Sequence, residues 1–318
     1  MKKCKAFVSF ALGLGAVASA AFVGSKILVD DYLSNKGIRK FLYGKPLLPP
    51  ENAKALKDND EIRFGKLFCE STPSCDISIK NRSGEKINAL FFVNPDGGRK
   101  FVLFCHGYAS SPKANSNIAM RYYNMGYSVL MPYQRGHMGS DHKYCTMGWY
   151  ERLDVVDWLN FIDRAVPGCR IVLHGISMGG ATVMMTVGEK LPKSVVCAIE
   201  DCGYTSVYDE YEAQTGNMLH LPPHPAVDIF RAAAKKFAGF DIKEASAKRQ
   251  VMKSETPMLF IHGEADSFVP FYMLKTVYSF ANCEKDLLVV SGADHATSSM
   301  LYPDVYWGKV KEFIEKYV

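Results

Sequence analysis

Apolar positions along this chain come in two patterns. Some form short continuous runs; others recur three or four apart among charges. "KFVLFCHG" and "YSVLMPYQRG" are unbroken apolar runs, the pattern of strands buried on both faces. "CRIVLHG", "SVVCAIEDCG", "TPMLFIHGEAD" and "DLLVVSGADH" also read as strands. "DISIKN" and "INALFFVN" predict an antiparallel pair joined by a turn at "RSGE". Between the strands lie helical segments. "WYERLDVVDWLNFID" sets Leu153, Val156, Leu159 and Phe161 among charges, as an amphipathic helix does. "ANSNIAMRYYNMG", "SMGGATVMMTVGEK", "FYMLKTVYSFAN" and "DVYWGKVKEFIEKYV" are helical as well. Strands alternating with helices imply right-handed crossovers, and so an α/β domain with a mostly parallel sheet of about eight strands.

Two stretches break this rhythm. Residues 204–255 lie between two strands and are too long for an ordinary crossover, so a small helical cap is expected there. Residues 25–66 are polar and mixed, with "KPLLPPENAK" as a punctuated linker, and the main domain is drawn over 67–318. Ahead of them, Lys2, Lys3 and Lys5 precede an uncharged run from Ala6 to Val23. A basic flank before an apolar core is the form of an export signal, with "ASA" at Ala18–Ala20 as a cleavage site. The run also approaches the roughly 20 residues that span a bilayer, so retention as an anchor over residues 1–24 is the competing outcome. With the lysines inside, the rest of the chain would face the cell exterior, or be secreted if the segment is cut.

Composition adds mostly exclusions. A hydrophobic share of 48% and a charged share of 22% over 318 residues suit a folded protein with a large core. The net charge of +5 comes without a basic stripe, so no nucleic-acid partner is expected. The nine cysteines show no zinc spacing. Cys69 and Cys75 could close a small disulfide loop if the domain is exported.

The candidate chemistry collects where an open parallel sheet places function, after the carboxyl ends of strands. "LHGISMGG" puts Ser177 between Gly175 and Gly179 at a strand-to-helix junction, with room for a sharp, strained turn. A serine hydroxyl needs a base, and a base needs an orienting acid. His295 follows one later strand and Asp266 another, which makes a chain order of Ser, Asp, His. Asp294, Glu200 and Asp201 are rival acids. An acyl-transfer site also needs oxyanion donors, for which the main-chain N–H groups of Met178 and of Tyr108 in "CHGYASS" are placed. His106, His174 and His262 precede glycines at strand ends and read as turn supports.

"LFCHGYASS", "PYQRGHMGSDHKYCTMGWYERLDVVDWL", "LHGISMGG", and "LFIHGEADSFVP" with "GADH" together resemble the α/β-hydrolase superfamily. Within it they are similar to exported or membrane-anchored bacterial members related to serine aminopeptidases and prolyl-oligopeptidase-like hydrolases. The resemblance implies a Ser177–Asp266–His295 triad with Tyr108 and Met178 as oxyanion donors. Tyr133 stands where many relatives have Asp, and Met138 is an extra residue within "RGHMGS"; both are expected in a loop that shapes the pocket.

The expected function is hydrolysis of a carboxylic ester or thioester through an acyl-enzyme on Ser177. No metal or organic cofactor is required, and the partner is a small acyl or peptide substrate. An aminopeptidase-like activity is the alternative, with Glu210, Glu212 or Asp209 of the cap holding an α-amino group. A non-catalytic surface protein is the third reading. The tyrosines and methionines of the cap point to an apolar acyl pocket.

Overall fold

A computed structural model of the chain describes residues 24–34, 56, 59–219 and 222–318. The Ala6–Val23 run, the "KPLLPPENAK" linker and His220 lie outside the described residues. Among the described residues, no helix is long and apolar enough to cross a membrane.

The described chain opens with helix α1 (24–33), followed by α2 (Asp60–Ser71). The strands are β1 (Cys75–Lys80), β2 (Lys86–Phe92), β3 (Lys100–Cys105), β4 (Ser128–Pro132), β5 (Arg170–Ile176), β6 (Val195–Asp201), β7 (Met258–Gly263) and β8 (Lys285–Val290). They form one sheet in the order β1-β2-β4-β3-β5-β6-β7-β8. The β1–β2 and β2–β4 pairs are antiparallel, and every later pair is parallel. The helices between them are α3 (Ser116–Asn124), α4 (Glu151–Ala165), α5 (Met178–Thr186), α6 (Val207–Leu219), α7 (Ala226–Phe237), α8 (Ala247–Val251) and α9 (Tyr272–Phe280). The chain ends with α10 (Ser298–Leu301) and α11 (Pro303–Ile314).

The central strands are buried on both faces because their side chains alternate between two cores. Phe101, Leu103 and Cys105 of β3 join one core with Ile171 and Leu173 of β5. Val102 and Phe104 join the other with Val172 and with Tyr122 of α3 and Trp307 of α11. β1, at the sheet edge, keeps mostly exposed side chains. The cap region contains α6, α7 and α8.

The polar stretch read as an extension is more structured than its composition suggests. α2 crosses the boundary drawn at residues 66 and 67. Its Asn59 cap accepts from the N–H groups of Glu61 and Ile62 at 2.9 and 3.3 Å. α2 then packs on α3, where Arg121 Nε donates to Glu61 Oε2 at 2.9 Å. α1 packs against the domain through Val29 and Leu33, both fully buried. The main chain follows: Cys145 N–H donates to the Leu33 carbonyl at 2.7 Å. Cys69 and Cys75, which could have closed a disulfide loop, are both free thiols here, Cys69 half-buried on α2 and Cys75 exposed at the start of β1.

Candidate active site

Chain order β3, β4, β5 becomes the spatial order β4-β3-β5, so the direction of sheet growth reverses between β3 and β5. In open parallel sheets a crevice forms beyond the carboxyl ends at such a switch point. The β3 terminus, Cys105, stands in register with Gly175 of β5. The loop after β3 and the turn after β5 are therefore neighbours, and the two segments singled out in the sequence meet there.

Ser177 links β5 to α5 with φ 58° and ψ −121°, a conformation that non-glycine residues rarely adopt. Close packing enforces the turn. A Cβ at Gly175 would lie 2.2 Å from the Gly179 carbonyl oxygen, and one at Gly179 would lie 1.9 Å from that of Cys105. Only glycines fit at these two positions. The Ser177 N–H is anchored to the Asp201 carbonyl at 2.8 Å, which leaves the side chain facing the crevice.

Ser177 Oγ lies 2.8 Å from His295 Nε2, to which it donates. His295 Nδ1 in turn donates to Asp266 Oδ2 at 2.8 Å. The other carboxylate oxygen of Asp266 accepts the N–H groups of Phe268 and Val269 at 2.9 and 2.8 Å. All three side chains are largely buried. Burial opposes a charge on Asp266, but the facing imidazole of His295 and contacts from His262 outweigh it and hold the carboxyl down at about 2. Burial likewise opposes protonation of His295. The adjacent Asp266 carboxylate overcomes this, and the imidazole titrates above the ordinary histidine value.

The rival acids face elsewhere. Asp294 Oδ1 accepts the main-chain N–H groups of His295 and Ser267 at 2.7 and 3.2 Å, which braces the histidine loop. Asp201 contributes its carbonyl to Ser177, and its carboxyl makes no hydrogen bond to the imidazole. Glu200 Oε2 accepts the Gly203 N–H at 3.0 Å.

A family profile described as the alpha/beta hydrolase fold matches residues 100–240. The chain has the α/β-hydrolase fold. It is 24% identical over 226 residues to the Bacillus subtilis protein YqkD, covering 71% of this chain and 74% of that one. The Pyrococcus furiosus esterase Pf2001 shares the fold with a TM-score of 0.65 at 22% identity, over 78% of this chain and 92% of its own. The Pyrococcus horikoshii acylaminoacyl peptidase matches with a TM-score of 0.57 at 15% identity, over 79% of this chain and 43% of its own.

Within this fold, Met178 opens α5, where a main-chain N–H has no acceptor within the helix. Tyr108 follows Gly107, at which a Cβ would stand 3.4 Å from Ser177 Cβ. The two residues thus flank the serine from α5 and from the β3 loop. The "RGHMGS" loop supports the second of them: His137 Nε2 accepts the Ala109 N–H at 3.0 Å. His106 and His174 are buried turn supports, each held by burial at about 3 and so neutral. His174 bridges Tyr122 and Tyr306 at 2.9 and 3.0 Å.

Above Ser177 lies a cavity of about 230 Å³, walled by α1 (Leu28, Tyr32), the cap (Tyr211, Phe230) and the β7 loop (Phe268, Val269). Sequence reasoning missed the contribution of α1, because the helix lies far from the serine in the chain. Tyr133 and Met138 do not shape this cavity; they line a separate surface groove, where Tyr133 Oη donates to Asp76 at 2.8 Å. Nor do His142 and His224 reach it, being paired with Glu85 and Asp228 at 3.1 and 2.7 Å. Among the described residues, only Cys202, Asp266 and His295 group as potential metal ligands, with ligand atoms within 4.8 Å of one another. Burial keeps the Cys202 thiol protonated, and the other two already bond to each other.

Proposed function

We propose that this α/β-hydrolase is a serine esterase acting through an acyl-enzyme on Ser177. The observation that carries the reading is the continuous hydrogen-bond line from Ser177 Oγ through His295 to Asp266, placed at the floor of a largely apolar cavity. Ser177 attacks the carbonyl as its proton passes to His295 Nε2, and Asp266 holds the tautomer that leaves Nε2 able to accept it. The N–H groups of Met178 and Tyr108 stabilise the oxyanion. The imidazolium then protonates the leaving alcohol, and water, deprotonated by His295, releases the acid. Pf2001 is an esterase by name, and the tyrosine- and phenylalanine-rich walls favour a substrate with an apolar portion.

A fluorophosphonate probe is expected to label Ser177, and Ser177→Ala to abolish both labelling and turnover of p-nitrophenyl esters. A folded protein that resists the probe would overturn the reading. Turnover of aminoacyl amides in preference to the esters would replace the esterase with a peptidase.

A further inference from the structure

The cavity above Ser177 is apolar except for one cluster on α6. Glu210 is 3% exposed. Its Oε1 accepts from Gln214 Nε2 at 2.8 Å, while its Oε2 is buried without a partner. Gln214 Nε2 also donates to the Phe268 carbonyl at 2.6 Å, so both amide hydrogens are used. Its Oε1 is likewise buried with no partner. Two residues that line the cavity thus each hold a buried oxygen without a donor. Leaving a buried polar atom unsatisfied costs about 1–3 kcal/mol, and in native structures such atoms call for an explanation. A ligand group that completes them is one.

The remaining walls narrow the ligand. Tyr32, Tyr108, Tyr204, Tyr211, Phe230 and Phe268 surround the cavity, and no lysine or arginine is among its described lining residues. Aromatic faces attract cations. A primary ammonium donates to two acceptors at once, while a hydroxyl has a single hydrogen to give. Of the three cap acids, only Glu210 reaches the cavity. Glu212 lies 3.0 Å from His224, and Asp209 accepts from Thr205 at 2.6 Å. Burial raises the Glu210 carboxyl to about 8, and a cation beside it would offset that cost.

We propose that this cavity is a subsite for a primary alkylammonium group of the substrate, held by Glu210 and Gln214. The inference rests on the hydrolase reading of Ser177 and narrows the substrate to an ester or amide that carries a protonated amine. Calorimetric titration of the full chain with hexylammonium and with 1-hexanol tests it. The ammonium is expected to bind about tenfold more tightly or better, from the charge-assisted hydrogen bond that the alcohol lacks. In Glu210→Gln the ratio should fall toward one, whereas Glu212→Gln should keep it. Equal affinity for the two ligands overturns the proposal on the unmodified protein alone, whether or not the variants fold. Selectivity that survives Glu210→Gln overturns it as well. Probe labelling of Ser177 reports separately: labelling without ammonium selectivity refutes the subsite only, and selectivity without labelling refutes the hydrolase reading.

Discussion

Ser177, Asp266 and His295 were legible because each follows a strand, and one positional rule selects all three. What the sequence left open was which of four acids, Asp266, Asp294, Glu200 or Asp201, faces the imidazole. Asp294 is adjacent to His295 in the chain, yet that adjacency turns its carboxylate to main-chain N–H groups, while Asp266 arrives from another strand at 2.8 Å. The pairing has a consequence for pH. In the proposed mechanism His295 must be neutral to accept the serine proton, and its partner raises its pKa above the ordinary histidine value of 6.5. Activity should therefore be lost as pH falls through a midpoint above 6.5, and Asp266→Asn should move that midpoint down while lowering kcat by about 10⁴. A pH–rate profile of kcat/KM checks both; an acid limb unmoved in the variant would disprove the coupling.

At the scale of elements, the buried strands announced themselves by continuous apolar runs, and the antiparallel entry pair by its turn. α2 did not. Its apolar residues form no single stripe, since Ile62, Phe64 and Leu67 are exposed, and a glycine interrupts it. The helix is held instead by its Asn59 cap and by close approach to α3. A Cβ at Gly65 would lie 2.4 Å from Asn117 N and 2.5 Å from its Cα, both main-chain atoms that cannot swing aside. Gly65→Ala should therefore push the helices apart and cost about 1–3 kcal/mol, despite the better helix propensity of alanine. Urea unfolding provides the test: a midpoint at or above that of the parent would show that the contact is loose.

For the whole molecule, burying the Glu210 carboxyl with one oxygen lacking a partner costs stability. Glu210 has a folded pKa of about 8, above that of an exposed glutamate, so the folded state holds a proton that the unfolded chain releases. Its contribution is fully present below the unfolded value and is lost as pH rises toward 8. Glu210→Gln should thus stabilise the empty protein more at pH 8 than at pH 5, measured as the difference in thermal midpoint; an equal gain at both would contradict a neutral buried Glu210. Local patterning by itself determined the α/β class, the strand ends and the three residues after them, because alternation and strand-to-turn junctions are properties of short segments. Only the tertiary structure decided that α1 walls the cavity, that Glu210 rather than Asp209 or Glu212 enters it, and that Tyr133 and Met138 stand outside. Those outcomes depend on how remote elements pack, and helical spacing alone does not say which face of the cap turns toward Ser177.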